Sequence, residues 1–442
     1  MGRAVDSDEE AGTTAIEAAT LAKVGRRLIP FLALLYFVAF IDRSNVSFAA
    51  EGMKRDLGFS AYVYGLGAGI FFIGYVLFEV PSNLILHRVG ARRWIARIAV
   101  TWGLVALGMA FVTGPRSFYL VRFVLGAAEA GLFPGVIYYL TQWVPAPQRA
   151  RLIGLFMTAI PISTAVGGPI SSAILALDGR QGLAGWQWLF VLETVPSLVL
   201  GVVTLFVLPD SPAQARWLNE AERRWLTDTL TAEREIRTVR HGAASARLLP
   251  DAHVLILCLA YFGVEMGLYG VLLWLPQIFK AAGIAAPLSG YAVAIPYGCA
   301  AIGMVWWSRH SDRSGDRTGH ILAASIIGFA GLAASAWLAA APLLSMVAIT
   351  LGAVGTLAIL PIFWTLPAAR LNGPAAAGGI ALINAVGNIG GFAGPFVIGW
   401  IKDSTGNFTD GLLVVASGVL LTGLIAWWLG RPGTMGRAGV QT

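Results

Sequence analysis

The run Leu28–Ala50, LIPFLALLYFVAFIDRSNVSFAA, has the length and apolar character of a helix that crosses a bilayer, yet it carries Asp42 and Arg43 side by side. About 20 apolar residues suffice for a crossing. From Leu28 to Ile41 the only polar group is the hydroxyl of Tyr36. An ionised side chain inside such a run costs roughly 2.5–3.5 kcal/mol on insertion scales. The pair therefore reads either as a cap at the membrane surface or as an ion and substrate site facing a water-filled cavity. Charged residues of both signs in other apolar runs favour the second reading.

Twelve apolar runs can be counted, at 28–50, 62–84, 94–113, 117–140, 151–176, 186–208, 252–279, 288–307, 320–340, 342–367, 377–401 and 411–430. Only 12% of the 442 residues are charged, against about 25% in a soluble globular protein. The expectation is an all-α membrane protein with twelve transmembrane helices. Gly and Pro interrupt several runs, as membrane helices tolerate when neighbours re-satisfy the backbone. Net charge +7 points to the lipid headgroups and not to nucleic acid, because the basic residues sit in loops between the runs. Cys258 and Cys299 lie in apolar runs and imply neither a disulfide nor a metal site. The first 20 residues are polar and acidic, which argues against a cleaved signal peptide.

Basic residues also set the orientation. With a cytoplasmic N-terminus, the inner segments hold Lys23, Arg26, Arg27, Arg88, Arg92, Arg93, Arg149, Arg309, Arg313, Arg317, Arg370 and the Arg-rich stretch between the sixth and seventh runs. The outer segments hold only Lys54, Arg55, Arg116, Arg180, Lys280 and Lys402. Both termini are therefore expected in the cytoplasm of a bacterial inner membrane. The expected organisation is a tail 1–27, a first half 28–208, a cytoplasmic central loop 209–250, a second half 251–430 and a tail 431–442. The central loop reads as one or two amphipathic helices lying as a solvated linker on the membrane surface.

Two landmarks reveal an internal repeat. Arg88-Val-Gly90-Ala-Arg92 follows the second run and Arg313-Ser-Gly315-Asp-Arg317 the eighth, 225 residues on; Gly168-Pro169 and Gly394-Pro395 stand 226 apart. Nearly equal offsets imply two pseudo-symmetric six-helix halves, the layout of parallel-repeat transporters with a midplane site between halves.

Twelve runs, two halves and the R-x-G-x-R loops resemble the major facilitator superfamily. FIDRSNVSFA, GYVLFEVPSNLIL, RVGARRWIARI, RFVLGAAEAGLFPG, GLAGWQWLFVLE and GIALINAVGNIGGFAGP closely resemble its anion:cation symporter group, which includes permeases for tartrate, phthalate, 4-hydroxyphenylacetate and sugar acids. The resemblance covers residues 28 to 430 and implies the major facilitator fold and proton-coupled uptake of a small organic anion. It also implies that Arg88, Gly90, Arg92, Asp312, Arg313, Gly315 and Arg317 form gating loops. Asp312 supplies the acid that usually opens such a loop; His87 stands in that place in the first half.

Arg122 and Glu129, seven residues apart in the fourth run, share a helical face about 10 Å apart along the axis. Each needs a partner elsewhere, and Asp42 and Arg43 are the candidates; the alternative is a structural charge network locking the first and fourth helices. A guanidinium stays charged and its planar fork fits a carboxylate. A carboxyl shielded from water can take and release a proton near neutral pH. Arg43 and Arg122 thus suit an organic anion, and Asp42 and Glu129 the coupling proton; the resemblance implies the same division. Arg122 has a second reading, holding a carboxylate in place. Tyr75 and Asn388 are hydrogen-bonding groups in apolar runs, and the resemblance puts both near the substrate; Asn384 lies one turn from Asn388. Tyr261, Glu265 and Tyr269 form a stripe at i, i+4, i+8 that would line a cavity, with Glu265 either tuning the substrate or bonding between helices. Glu79 and Glu193, each near a proline, read as helix-end or structural groups.

Gly65-x-Gly67-x-Gly69 has no strand before it and reads as helix packing, and no Walker lysine follows a glycine loop, which excludes ATP-driven transport and an ATP partner. The histidines show no metal spacing and no catalytic triad is supported, so neither an enzyme nor a cofactor other than the coupling proton is expected. The expected transporter works as a monomer in the lipid bilayer. An efflux antiporter of the same fold and a transporter-like sensor are the competing readings. The orientation is testable: in a background lacking Cys258 and Cys299, Thr442→Cys should resist an impermeant thiol reagent in intact cells and react after permeabilisation. Labelling of intact cells would reverse the topology.

Overall fold

The computed structural model describes residues 2–241, 252–338, 340–370 and 374–431, and all regular structure among them is helical. Twelve helices are long and apolar enough to cross a membrane. The first six are Ala15–Leu57, Ala61–Val89, Ala91–Phe111, Pro115–Thr141, Leu152–Leu175 and Gly185–Val207. The second six are Ala252–Ala281, Leu288–Ser314, Arg317–Trp337, Pro342–Pro367, Gly378–Thr405 and Thr409–Gly430. They are referred to as the first to twelfth spans. The first helix runs past both expected ends, because polar residues continue it beyond the lipid-facing run. The end of the central loop (242–250) and the tail beyond Arg431 lie outside the described residues.

The fourth span is broken where an uninterrupted helix was expected. Its helix stops at Glu129, and Ala130 turns extended (φ −53°, ψ 131°). Gly131 follows in the left-handed region (φ 89°) before a new helix opens at Leu132. A Cβ at Gly131 would stand 2.3 Å from Ser82 Oγ, so both the dihedral and the space require glycine. The freed Ala130 carbonyl accepts from Ser82 Oγ (2.7 Å), which itself accepts from Trp94 Nε1 (3.0 Å). The break leaves the Glu129 carboxyl at a helix end deep in the protein.

The central helix Glu220–His241 departs from the expected linker lying on the membrane. Leu226 and Leu230 are buried, and Trp217 stacks on Trp143. Asn219 and Glu222 bond each other's backbone N–H groups at its start, and Lys23 pairs with Glu222 (2.6 Å). Arg149 pairs with Glu233 (3.0 Å). Apolar contact and ion pairs therefore dock the helix on the first half.

The halves meet through the second and eleventh, fifth and eighth, and first and seventh spans. Several polar contacts between them lie on the face away from the termini. Asp403, at the end of the eleventh span, accepts from Ala61 N (2.9 Å) and Tyr62 N (2.8 Å), and so caps the second span from the other half. Lys280 pairs with Glu51, and Tyr64 donates to the Leu273 carbonyl (2.6 Å). On the same face the Asp178 carboxyl accepts from Gly185 N and Arg55, which holds it below the usual carboxylate range. Gly168 and Gly290 bring two backbones together: a Cβ on Gly290 would stand 2.2 Å from the Gly168 carbonyl oxygen.

This seam generates a prediction. Overpacking of this kind costs about 1–3 kcal/mol, enough to shift an open–closed balance by about fivefold or more. Gly290→Leu should therefore open this face. A cysteine introduced by Gln277→Cys, in the recess that Gln277 lines there with Lys280, should react faster with a thiol reagent in that background. An unchanged rate would show that the glycine contact does not hold the halves closed.

Candidate functional site

Successive residues of a helix point about 100° apart, and Asp42 and Arg43 exploit this. Arg43 turns to the seam between the halves. Its Nε donates to Glu129 Oε1 (2.7 Å) and its Nη1 to the Tyr269 hydroxyl of the seventh span (2.9 Å). Both partners of the ion pair are buried. The guanidinium carbon lies 5.1–5.4 Å from the ring centroids of Phe40, Phe71 and Tyr75, which supply cation–π contact.

Around this link lies a space of about 40 Å³, lined by Arg43, Tyr75, Glu265, Tyr269, Asn384 and Asn388 among others. It is large enough for a few waters; a dicarboxylate enters only if side chains move. Tyr75, Tyr269 and Asn388 line this space, and so does the Tyr261–Glu265–Tyr269 stripe. Asn388 Nδ2 donates to the Asn384 carbonyl (3.0 Å), and Asn384 Nδ2 donates to Glu79 Oε1 (2.6 Å). Glu79 is therefore no helix-end group: Pro81 lies inside the second helix, and Glu79 is buried and bonded across the halves.

Arg122 stands apart from the space. It is 1% exposed and donates to the Gly67 carbonyl (3.2 Å) and the Ala68 carbonyl (3.0 Å) of the second span. Both guanidinium groups lie near the Phe71 ring, with Arg122 4.9 Å from its centroid. In this conformation Arg122 neither holds a carboxylate nor reaches an anion site, contrary to both readings of it. It pins the second span to the fourth.

Asp42 pairs with neither arginine. Its Oδ2 accepts from Trp102 Nε1 (2.7 Å) and Ser197 Oγ (2.5 Å), inside the first half. Glu193, expected as a helix-end or structural group, is also buried there, inside a helix that runs on past Pro196. In the loops, Gly90 and Gly315 take positive φ (95° and 72°). Arg92 pairs with Asp210 (2.8 Å) and Arg317 with Asp312, each within or beside its own half; Arg88 and Arg313 are exposed. Sequence reasoning missed Tyr36, which lines the space; the signal was its lone hydroxyl two helical turns before Arg43. Trp102 and Ser197 carried no signal of their own.

The chain matches the Major Facilitator Superfamily over residues 32–395, and it belongs to that family. It is 51% identical over 420 residues to a "Putative tartrate transporter" of Agrobacterium vitis, covering 95% of this chain and 93% of that protein. It is 44% identical over 405 residues to a "Quinolone resistance transporter" of Acinetobacter baumannii, covering 91% and 93%. Among solved structures it resembles the partially occluded, inward-open xylose transporter XylE of E. coli, with TM-score 0.75 and 16% identity over 93% and 99% of the two chains. The protein is a multi-pass secondary transporter and not an enzyme.

The carbonyl pin is testable. Hydrogen bonds from a charged group contribute about 1.5–3 kcal/mol each. Arg122→Leu removes both without stranding a charge, so it should lower the unfolding midpoint in detergent by a few degrees, and Arg122→Lys by less. Unchanged midpoints in both variants would remove the pin.

Proposed function

We propose that the protein imports a small organic anion, tartrate or a related carboxylate or sugar acid, together with protons across the bacterial inner membrane, with both termini cytoplasmic. The observation that carries this reading is the buried link Glu129–Arg43–Tyr269 on the wall of the space between the halves. Arg43 Nη2 has no hydrogen-bond partner among the described residues, so a carboxylate has a donor to approach. A carboxylate that takes the guanidinium competes with Glu129. A buried carboxylate stripped of its counter-ion takes up a proton, and anion binding and proton uptake then favour one another. Tyr75, Tyr269 and Asn388 offer hydrogen bonds to the rest of the anion. Asp42 is the second proton carrier, the R-x-G-x-R loops gate the inner face, and no cofactor or ATP takes part. The tartrate-transporter relative supports the substrate class.

A second reading has one observation behind it. Glu265 places a carboxyl in the same space, where it would suit a cationic or zwitterionic drug, and the quinolone-resistance relative points the same way. In that reading the protein is an efflux antiporter.

Proteoliposomes decide between them. With an inward proton gradient, labelled tartrate should accumulate. Glu129→Gln should exchange tartrate but fail to concentrate it, and Asp42→Asn should lose gradient-driven uptake. Arg43→Lys keeps the charge but loses the fork, and should weaken binding about tenfold, the worth of roughly 1.4 kcal/mol. Parent-like accumulation by both acid variants would sink proton symport. Quinolone transport against the proton flow, abolished by Glu265→Gln and without tartrate uptake, would establish the antiporter instead.

A further inference from the structure

Deep in the first half, away from the space between the halves, two carboxyl groups lie near each other with no base to neutralise them. Asp42 is 2% exposed and Glu193 4% exposed. The Ser197–Asp42 hydrogen bond sets the register of the first and sixth spans. These helices run in opposite senses, so one turn along, Glu193 of the sixth span meets Asn45 of the first. The two carboxyls are thus offset by about one helical turn, ~5 Å along the helix axes.

Each acid is half satisfied. Asp42 Oδ2 takes two donors, Trp102 and Ser197, while Oδ1 has none. Glu193 Oε1 takes Ser171 Oγ (2.7 Å), while Oε2 has no partner. Asn45, 2% exposed and beside Glu193, has no hydrogen-bond partner at its Nδ2. The titratable and charged groups facing the pair are the two acids themselves and Glu129 of the fourth span, which Arg43 neutralises. The third, fifth and sixth spans present Trp102, Ser171 and Ser197. Two buried, unneutralised carboxylates this close repel each other and resist joint ionisation.

We propose that Asp42 and Glu193 form a carboxyl pair that shares one exchangeable proton, with Asn45 as the bridging amide, and that Glu193 is thereby part of the proton site. An amide suits the bridge because its NH₂ donates to the ionised carboxylate while its oxygen accepts from the protonated one. The chemistry is one exchange: an O–H bond forms on Asp42 Oδ1 or Glu193 Oε2 as the proton enters and breaks as it leaves. This deepens the proton-coupled reading above and rests on it.

The test is an infrared pH titration of the carboxyl band in proteoliposomes, with labelled tartrate uptake at each pH. The band that Asp42→Asn removes identifies the pair. In the parent it should titrate in two steps, separated by about one pH unit or more. Glu193→Gln removes the like charge, so the high-pH step should vanish and the pH limit of driven uptake should fall with it. Ser171→Ala, a small change that removes a donor to ionised Glu193, should move the pair's protonation to higher pH and keeps the test alive if Glu193→Gln misfolds. An Asp42 band and uptake profile unmoved in either folded variant would overturn the pair and leave Glu193 a structural acid. Parent-like, gradient-driven accumulation in Asp42→Asn would overturn the proton role of Asp42 and the pair with it, and the same result in Glu129→Gln as well would overturn proton symport. Loss in Asp42→Asn with an unmoved profile in Glu193→Gln would overturn only the sharing.

Discussion

A guanidinium buried in the middle of a membrane protein cannot stand alone, and much of the site's geometry follows from how Arg43 is compensated. The carboxylate of Glu129 neutralises it from the fourth span, and the Tyr269 hydroxyl completes its polar shell from the seventh. The first partner belongs to the same half and the second to the other. One side chain therefore ties charge balance within a half to contact between halves. The broken fourth helix serves the same end, since the turn at Ala130–Gly131 ends the helix beside Glu129.

The seam shows how two halves can be held together and still part. On the face away from the termini they touch through backbone at Gly168–Gly290 and through a carboxylate capping a helix start at Asp403. Between these contacts Tyr64 packs edge-on against Trp274 and Tyr62 against Phe396, so parting also separates aromatic rings across the seam. Nearer the middle, Asn384 bonds Glu79 across the seam, next to the space that Arg43 lines. A ligand in that space thus touches residues that join the halves, the coupling that alternating access needs.

The spans were legible because hydropathy and length decide them, and the repeat was legible because two landmarks share an offset. What the sequence left open was the pairing. Seven-residue spacing put Arg122 and Glu129 on one face, but spacing is silent on which neighbour each meets. Arg122 found carbonyls where small residues let the second span approach, and Asp42 found an indole and a hydroxyl. For Glu79 and Glu193 the helix-end alternative fell and the structural one remained, because a nearby proline resembles a helix end, whereas Pro81 and Pro196 sit inside continuous helix. The turn after Glu129 was hidden for the related reason that glycine is frequent in such helices without breaking them.

Charge balance explains why a carboxylate and a proton would travel together here. Arg43 is already neutralised by Glu129, so an arriving anion adds net negative charge to a buried site. The buried acids nearby, Glu79, Glu265 and the Asp42–Glu193 pair, offer no compensating cation. Arg122, the other buried arginine beside Phe71, is held by carbonyls. Among the residues that line the space, Arg43 is the one cation, so under the proposed symport a solvent proton would neutralise the displaced Glu129. The same accounting would give the proposed linkage its direction: the anion would draw in the proton by taking Arg43, the proton's competitor, away from the carboxylate.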